Sequence, residues 1–141
     1  MQCCNRGPKV IYLDTSALVK RYVEERGSEI IHTFFEKEEG KFTAKIAYVE
    51  ALAAFSRRRR EGGISGNDYV SLCHLFESEW ETYMDIVELT DEVLKATRRL
   101  IDSYPLRGLD AIHLASALLI RDKTREEITF ICSDKNLLDA A

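Results

Sequence analysis

Short apolar runs typical of buried strands alternate with longer amphipathic segments along this chain. The runs at residues 10–13 and 128–132 are rich in β-branched and aromatic side chains, and residues 84–90 alternate between polar and apolar. Residues 28–39 and 44–60 instead carry apolar side chains at helical spacing. Strands that alternate with helices predict an α/β protein: a three-layer α/β/α sandwich with a central, mostly parallel sheet.

Helix boundaries are marked by residues whose side chains can cap a first turn. The expected caps are Thr15 or Ser16, Asn67 or Asp68, and Thr90. The glycine-rich stretch "EGGISG" is expected to end the helix of residues 44–60.

Length and composition are those of an ordinary globular domain. The chain has 141 residues, of which 45% are hydrophobic and 31% charged. We expect a loose tail over residues 1–8 and one domain over residues 9–141. No apolar run approaches the roughly 20 residues that span a bilayer, and the first residues lack the apolar core of a signal peptide. These features predict a cytoplasmic protein with no membrane partner.

The four cysteines are expected to be reduced and structural. They show no Cys-x-x-Cys motif and no Cys/His spacing suited to zinc. They are Cys3, Cys4, Cys73 and Cys132.

Two predicted strands end in a carboxylate. Asp14 follows the strand of residues 10–13, and Asp134 follows the strand of residues 128–132. If the strands are parallel neighbours, both carboxylates lie at one edge of the sheet, where α/β proteins bind ligands. The alternatives are a helix N-cap for Asp14 and a turn residue for Asp134.

Two helices add further acidic residues. Glu50 falls on the face of its helix that carries Ile46, Val49 and Ala53, where a carboxylate is costly unless paired or bound to a cation. The alternative is an ion pair with Arg57. Asp110 opens the apolar helix "LDAIHLASALLI", where an acidic residue is also favoured by the helix dipole.

His113, one turn after Asp110, is interpreted as a hydrogen-bonded core residue and not as a ligand.

Four acidic residues converging at a sheet edge form an oxygen-rich site that suits Mg²⁺ or Mn²⁺. Such a cation lowers the pKa of a bound water and stabilises the attacking and leaving oxygens of a phosphodiester. Asp14, Glu50, Asp110 and Asp134 are therefore the candidate catalytic and metal-binding residues.

A basic run closes the helix that carries Glu50. A net charge of −4 argues against nucleic-acid binding through global charge, but a local patch remains available. Arg57 and Arg58 are the candidate contacts to RNA or to an acidic partner segment. The alternative is a solvated helix end that interacts favourably with the helix dipole.

Four segments together resemble the motifs of the PIN-domain family, and in particular the VapC-type toxins of prokaryotic type II toxin–antitoxin pairs. These are "VIYLDTSALVKRY", "AYVEALAAFSR", "LRGLDAIHLASAL" and "FICSDKNLLDAA", in the family's order along nearly the whole chain. The resemblance implies a PIN-like fold and a Mg²⁺- or Mn²⁺-dependent endoribonuclease that leaves 5′-phosphate and 3′-hydroxyl ends. It also implies inhibition by a cognate antitoxin, and often a homodimer.

The resemblance also assigns roles to residues. The family's four acidic positions fall on Asp14, Glu50, Asp110 and Asp134, and supporting hydroxyls fall on Thr15, Ser16 and Ser133. Two departures are that family members commonly continue with a further short strand and often carry another acidic residue soon after the last aspartate. Without that residue, tight binding of a second metal is not expected.

Two other functions remain open. One is a non-catalytic interaction or RNA-binding module on the same fold, with carboxylates that serve as caps and ion-pair partners. The other is an aspartyl phosphatase that uses Asp14, which is disfavoured because "DTS" lacks a second aspartate two positions on.

Overall fold

A four-stranded sheet forms the centre of the computed structural model, which describes residues 10–37 and 40–141. The strand order is β3-β2-β1-β4, and every neighbouring pair is parallel. The strands are β1 (Val10–Leu13), β2 (Gly40–Ala44), β3 (Asp85–Val87) and β4 (Ile128–Ile131). The predicted tail of residues 1–8, together with Cys3 and Cys4, lies outside the described residues.

Helices cover both faces of the sheet. They are α1 (Thr15–Val19), α2 (Ser28–Glu36), α3 (Ala47–Arg60), α4 (Gly66–Tyr83), α5 (Asp91–Ser103), α6 (Gly108–Thr124) and α7 (Lys135–Ala140). Ile11 and Leu13 of β1 point to a core shared with helices α1 to α4. Tyr12 points the other way, into a core shared with α5 and α6. This two-faced burial confirms the predicted three-layer α/β/α sandwich.

The register of the sheet brings two strand ends together. Leu13 of β1 pairs with Ile131 of β4, and the backbone N–H of Asp14 donates to the Ile131 carbonyl over 3.1 Å. The predicted parallel neighbours are therefore present, and Asp14 and Asp134 follow strands that end at the same edge.

Two of the predicted helix caps were wrong, and one is confirmed. Asp14, not Thr15 or Ser16, caps α1, and Ser65, not Asn67 or Asp68, caps α4. Both stretches contain several residues able to cap, so local sequence does not decide which one adopts the extended backbone of an N-cap. Thr90 caps α5 as predicted, since its side chain accepts from the Val93 N–H.

The predicted buried face of α3 was also wrong. The helix packs through Ala47, Ala51 and Phe55, which are fully buried, whereas Val49 is 63% exposed and Ala53 is exposed. The residues at positions 46, 49, 50 and 53 do share a side of the helix, but that side is not the core side. Glu50 is therefore half-buried at the margin of the core.

A buried ion pair joins the segment after α1 to α4. Glu79 is only 6% exposed and accepts hydrogen bonds from the Arg21 guanidinium at 3.2 and 3.3 Å. The Tyr22 hydroxyl donates to the same carboxylate over 3.1 Å. Burial, followed by the nearness of Glu79, raises the pKa of Tyr22, so that this hydroxyl remains a donor.

Cys73 and Cys132 are free thiols, in keeping with the predicted reduced state. Burial raises the pKa of Cys132 to about 12, which keeps it a thiol at neutral pH. Among the described residues, no helix combines the length and apolar character needed to cross a bilayer.

Candidate functional site

A pocket of about 270 Å³ opens where β1 and β4 end. All four predicted carboxylates line it, together with two hydroxyl residues, two arginines and one histidine. These residues are Asp14, Glu50, Asp110, Asp134, Thr15, Ser16, Arg57, Arg107 and His113.

Asp14 is buried at the base of this pocket, with 5% of its surface exposed. Its Oδ1 accepts from the Ala17 N–H over 2.9 Å and from the Ser16 hydroxyl over 2.7 Å. Burial raises the pKa of Asp14, although these two hydrogen bonds oppose the rise. Within the described part of the chain, Asp14 takes part in no ion pair. The N-cap alternative is thus correct for Oδ1, while Oδ2 has no cationic partner among the described residues.

Ser16 connects the two strand ends. Its hydroxyl donates to Asp14 and accepts from the backbone N–H of Ser133 over 3.1 Å. Ser133 is exposed and contributes its backbone to this link. The predicted supporting residues Ser16 and Ser133 are thus brought together beside Asp14.

Glu50 is oriented by two donors that share one of its oxygens. Its Oε1 accepts from the Thr15 hydroxyl over 2.7 Å and lies 3.0 Å from His113 Nε2. Burial tends to raise the pKa of Glu50, but the hydrogen bonds from His113 and Thr15 outweigh it and hold the pKa below its ordinary value. The alternative ion pair with Arg57 is not formed; the partners of Glu50 are His113 and Thr15.

The Arg107 guanidinium forms ion pairs with both Asp110 and Asp134. Arg107 Nε lies 3.2 Å from Asp110 Oδ2, and its Nη2 lies 3.8 Å from Asp134 Oδ2. Asp134 also caps α7, because its Oδ1 accepts from the Leu137 N–H over 3.0 Å. The turn interpretation of Asp134 is replaced by this cap. Arg107 is 81% exposed in its side chain, so its ion pairs face water and are readily exchanged.

The basic run of α3 divides into residues with different surroundings. Arg57 lines the acidic pocket and, with Arg60, a neighbouring groove, and none of the ion pairs within the described residues includes it. Arg58 instead forms an ion pair with Glu25. Successive residues of a helix point about 100° apart, so neighbours in one run reach different partners.

The donor set fits a hard divalent cation in its chemistry. Mg²⁺ and Mn²⁺ prefer carboxylate oxygens, and four carboxylates surround this pocket. One of them, Asp14, is buried and has no cationic partner in the part of the chain that the structure describes. Among the residues that the structure describes, no group of three or more His, Cys, Asp or Glu side chains is already drawn together as a metal cluster. Arg107 lies against two of the carboxylates, so bringing all four to one ion requires this arginine to move.

Fold and site together define a class of protein: a parallel α/β/α sandwich that carries an acidic pocket at the carboxyl ends of its strands. The PIN domain family model matches residues 11–141. The chain belongs to the PIN domain family.

Similar proteins carry related descriptions. The chain is 31% identical over 116 residues to Ribonuclease VapC49 of Mycobacterium tuberculosis, covering 80% of this chain and 78% of that protein. The crystal structure of Mycobacterium tuberculosis VapC20, a sarcin–ricin loop cleaving toxin, aligns with a TM-score of 0.63 at 16% identity over 92% of this chain and 94% of that one. A toxin–antitoxin complex from Klebsiella pneumoniae aligns with a TM-score of 0.63 at 16% identity over 89% and 88% of the two chains. These structures support the PIN fold.

Proposed function

We propose that this chain is a Mg²⁺- or Mn²⁺-dependent endoribonuclease, the toxin of a toxin–antitoxin pair. The observation that carries the proposal is the convergence of Asp14, Glu50, Asp110 and Asp134 on one pocket of a PIN-domain chain. The relatives named ribonucleases support RNA as the substrate.

The four carboxylates would hold the cation, and the chain's other groups would prepare the site. When bound, Mg²⁺ or Mn²⁺ lowers the pKa of water and offsets negative charge on the phosphate in the transition state. Glu50 is kept ionised by its hydrogen bonds, and its Oε2 receives none from the described residues. That oxygen is available to take a proton from the attacking water.

The positive groups at the pocket would receive the RNA backbone. Arg57 lines the pocket and forms no ion pair among the described residues. Its guanidinium can therefore bind a phosphate through two parallel N–H hydrogen bonds, in bidentate geometry. Arg58 is already paired with Glu25 and would contribute only through general attraction.

A protein partner would use the surface beside the pocket. A groove of about 520 Å³ is lined by Glu50 and Asp110 and by the apolar residues Leu94, Ile101 and Leu109. These three residues are 45–47% exposed, in keeping with a surface that another chain covers. We propose a cognate antitoxin and a second copy of this chain as partners, and the cytoplasm as the compartment.

The test is cleavage of a panel of structured RNAs, tRNA included, with Mn²⁺, Mg²⁺ or EDTA. We expect cleavage that requires the cation and falls roughly 100-fold in Asp110→Asn, because one oxygen ligand is lost. Asp102→Asn, which changes an exposed carboxylate on α5, is the matched control and should cleave like the wild type. Equal cleavage by Asp110→Asn and the wild type would remove Asp110 from the site.

Arg107 is expected to oppose metal binding. Its guanidinium lies against Asp110 and Asp134, so removing it frees two carboxylates for the cation. Arg107→Ala should bind Mn²⁺ about 3- to 10-fold more tightly, as expected from loss of one nearby positive charge. Titration of Mn²⁺ by electron paramagnetic resonance measures this, with Arg98→Ala as the control for an exposed arginine. Weaker Mn²⁺ binding in Arg107→Ala would contradict the competition.

A non-catalytic module on the same fold is favoured by one observation: each of the four carboxylates already has a partner within the protein. Asp14 and Asp134 cap helices, Glu50 binds His113, and Asp110 pairs with Arg107. This function predicts no cation-dependent change in melting temperature. Stabilisation by millimolar Mn²⁺ that is lost in Glu50→Gln would exclude it.

A further inference from the structure

A buried hydrogen-bonded chain runs from the sheet to the acidic pocket. It begins at Tyr12 of β1, passes through His113 of α6 and ends at Glu50 of α3. Tyr12 Oη lies 2.8 Å from His113 Nδ1, and His113 Nε2 lies 3.0 Å from Glu50 Oε1. Tyr12 is fully buried, and His113 is 2% exposed.

Tyr12 is held rigidly at the start of this chain. Its ring stacks on Phe130 of β4, with the ring centroids 5.3 Å apart and the planes 5° from parallel. The edge of the His113 ring meets Tyr12 at an interplanar angle of 75°. The position of the hydroxyl is therefore fixed by the sheet itself.

The Glu50 carboxylate determines which atoms donate and which accept along this chain of hydrogen bonds. An ionised Glu50 carboxylate can only accept, so His113 Nε2 must carry a hydrogen. When the hydrogen of a neutral imidazole is on Nε2, Nδ1 can only accept, so the Tyr12 hydroxyl donates to it over 2.8 Å. One tautomer of a neutral His113 satisfies both contacts, with the hydrogen on Nε2 and none on Nδ1.

Both contacts to Glu50, which lines the acidic pocket, are made to the same carboxylate oxygen. Thr15 Oγ1 and His113 Nε2 both approach Oε1, and they lie 3.1 Å from each other. No described residue donates a hydrogen bond to Oε2. A carboxylate held on one oxygen by two fixed donors cannot rotate freely, which keeps Oε2 in place without reorganisation.

We infer that His113, oriented by the Tyr12 hydroxyl, is a positioning residue that fixes the Glu50 carboxylate at the acidic pocket. The inference rests on the proposed function for its effect on catalysis, but the link itself belongs to the metal-free protein. Groups that orient a metal-binding side chain typically change metal affinity or activity about 10- to 100-fold when they are removed.

The first experiment reads the tautomer of His113 in metal-free protein by long-range ¹⁵N–¹H correlation spectroscopy. We expect the hydrogen on Nε2, with Nδ1 as acceptor, and a shift of the Nδ1 resonance in Tyr12→Phe. A hydrogen found on Nδ1 would overturn the inference. Because no metal or RNA is present, this result is independent of the proposed function.

The second experiment measures Mn²⁺ affinity and the kcat and KM of RNA cleavage in folded variants. His113→Leu removes the donor while filling the space, and should lower Mn²⁺ affinity and kcat by about 10- to 100-fold with little change in KM. His113→Gln restores a donor near the position of Nε2 and should recover most of the loss. His74→Leu, on the exposed side of α4, is the matched histidine control.

A double-mutant cycle separates positioning from general support of the fold. If His113 acts through Glu50, His113→Leu should have no further effect on Mn²⁺ affinity in a Glu50→Gln background. Additive losses, or a folded His113→Leu variant with wild-type affinity and kcat, would overturn the inference. A wild-type protein that neither binds Mn²⁺ nor cleaves RNA would instead refute the proposed function, and the tautomer measurement would then decide the inference alone.

Discussion

Asp14→Asn is expected to lower metal-dependent RNA cleavage by roughly 10³-fold and, at the same time, to stabilise the metal-free fold. The loss of activity follows because Asp14 is the most buried of the four carboxylates and has no ion-pair partner among the described residues. The gain in stability follows because asparagine keeps an oxygen that can accept from Ala17 and Ser16, while the buried charge is removed.

The raised pKa of Asp14 determines how its charge affects folding stability at each pH. Burial raises the pKa of Asp14 in the folded state above its ordinary value of 3.8. At pH values between 3.8, the pKa in the unfolded chain, and the raised pKa in the folded state, the folded protein binds more protons than the unfolded chain. The free energy of unfolding therefore falls as the pH rises through this window. At neutral pH the ionised Asp14 therefore destabilises the wild type, and below pH 3.8 that destabilisation disappears.

Thermal unfolding in EDTA measures this effect. At pH 7 we expect Asp14→Asn to melt about 2–5 °C above the wild type, the size expected for about 1 kcal/mol in a domain of this length. The difference should shrink as the pH approaches 4. A lower melting temperature in Asp14→Asn would mean that the aspartate cap contributes more than its burial costs, and unchanged cleavage would remove Asp14 from the site.

Glu79→Ala is expected to produce the largest loss of stability. The change leaves the Arg21 guanidinium and the Tyr22 hydroxyl without their shared carboxylate. Breaking a buried pair costs about 3–5 kcal/mol, and the lower end applies because the Arg21 side chain is 30% exposed. A loss of about 3 kcal/mol corresponds to a fall of roughly 10 °C in melting temperature.

Urea and thermal unfolding test this prediction. Glu79→Gln keeps acceptor and donor groups at the same place and should lose less stability than Glu79→Ala. Glu77→Ala, on the exposed side of the same helix, is the matched control and should stay within about 0.5 kcal/mol of the wild type. If Glu79→Ala were as stable as Glu77→Ala, the pair with Arg21 would contribute nothing measurable.

The strand-ending aspartates show why part of the site could be predicted. A charged residue at or just after the end of an apolar, strand-like run is a local feature, visible as "IYLD" and "FICSD". Once the strands are taken as parallel neighbours, their ends must share an edge of the sheet. Asp14 and Asp134 are predicted on this argument, Glu50 and Asp110 from their positions on two helices, and the resemblance to PIN domains assigns the same four residues.

The burial of α3 shows where periodicity failed. Apolar side chains occur on several sides of this helix, so two different sets of positions follow helical spacing. One set is 46, 49, 50 and 53, and the other is 47, 51 and 55. The side that becomes buried is decided by the helices and strands that pack on α3. Sequence spacing alone therefore could not distinguish the core side from the side that faces the pocket.

The sequence by itself determined the alternation of strands and helices, the parallel sandwich and the acidic character of one sheet edge, since each depends on short-range patterns. Only the tertiary structure decided how the carboxylates are held. Tyr12 and His113 are 101 residues apart in the chain, and His113 and Glu50 are 63 apart, yet hydrogen bonds join them. Such contacts require side-chain atoms to approach within about 3 Å, a condition fixed by the packing of α3 and α6 and by no local pattern.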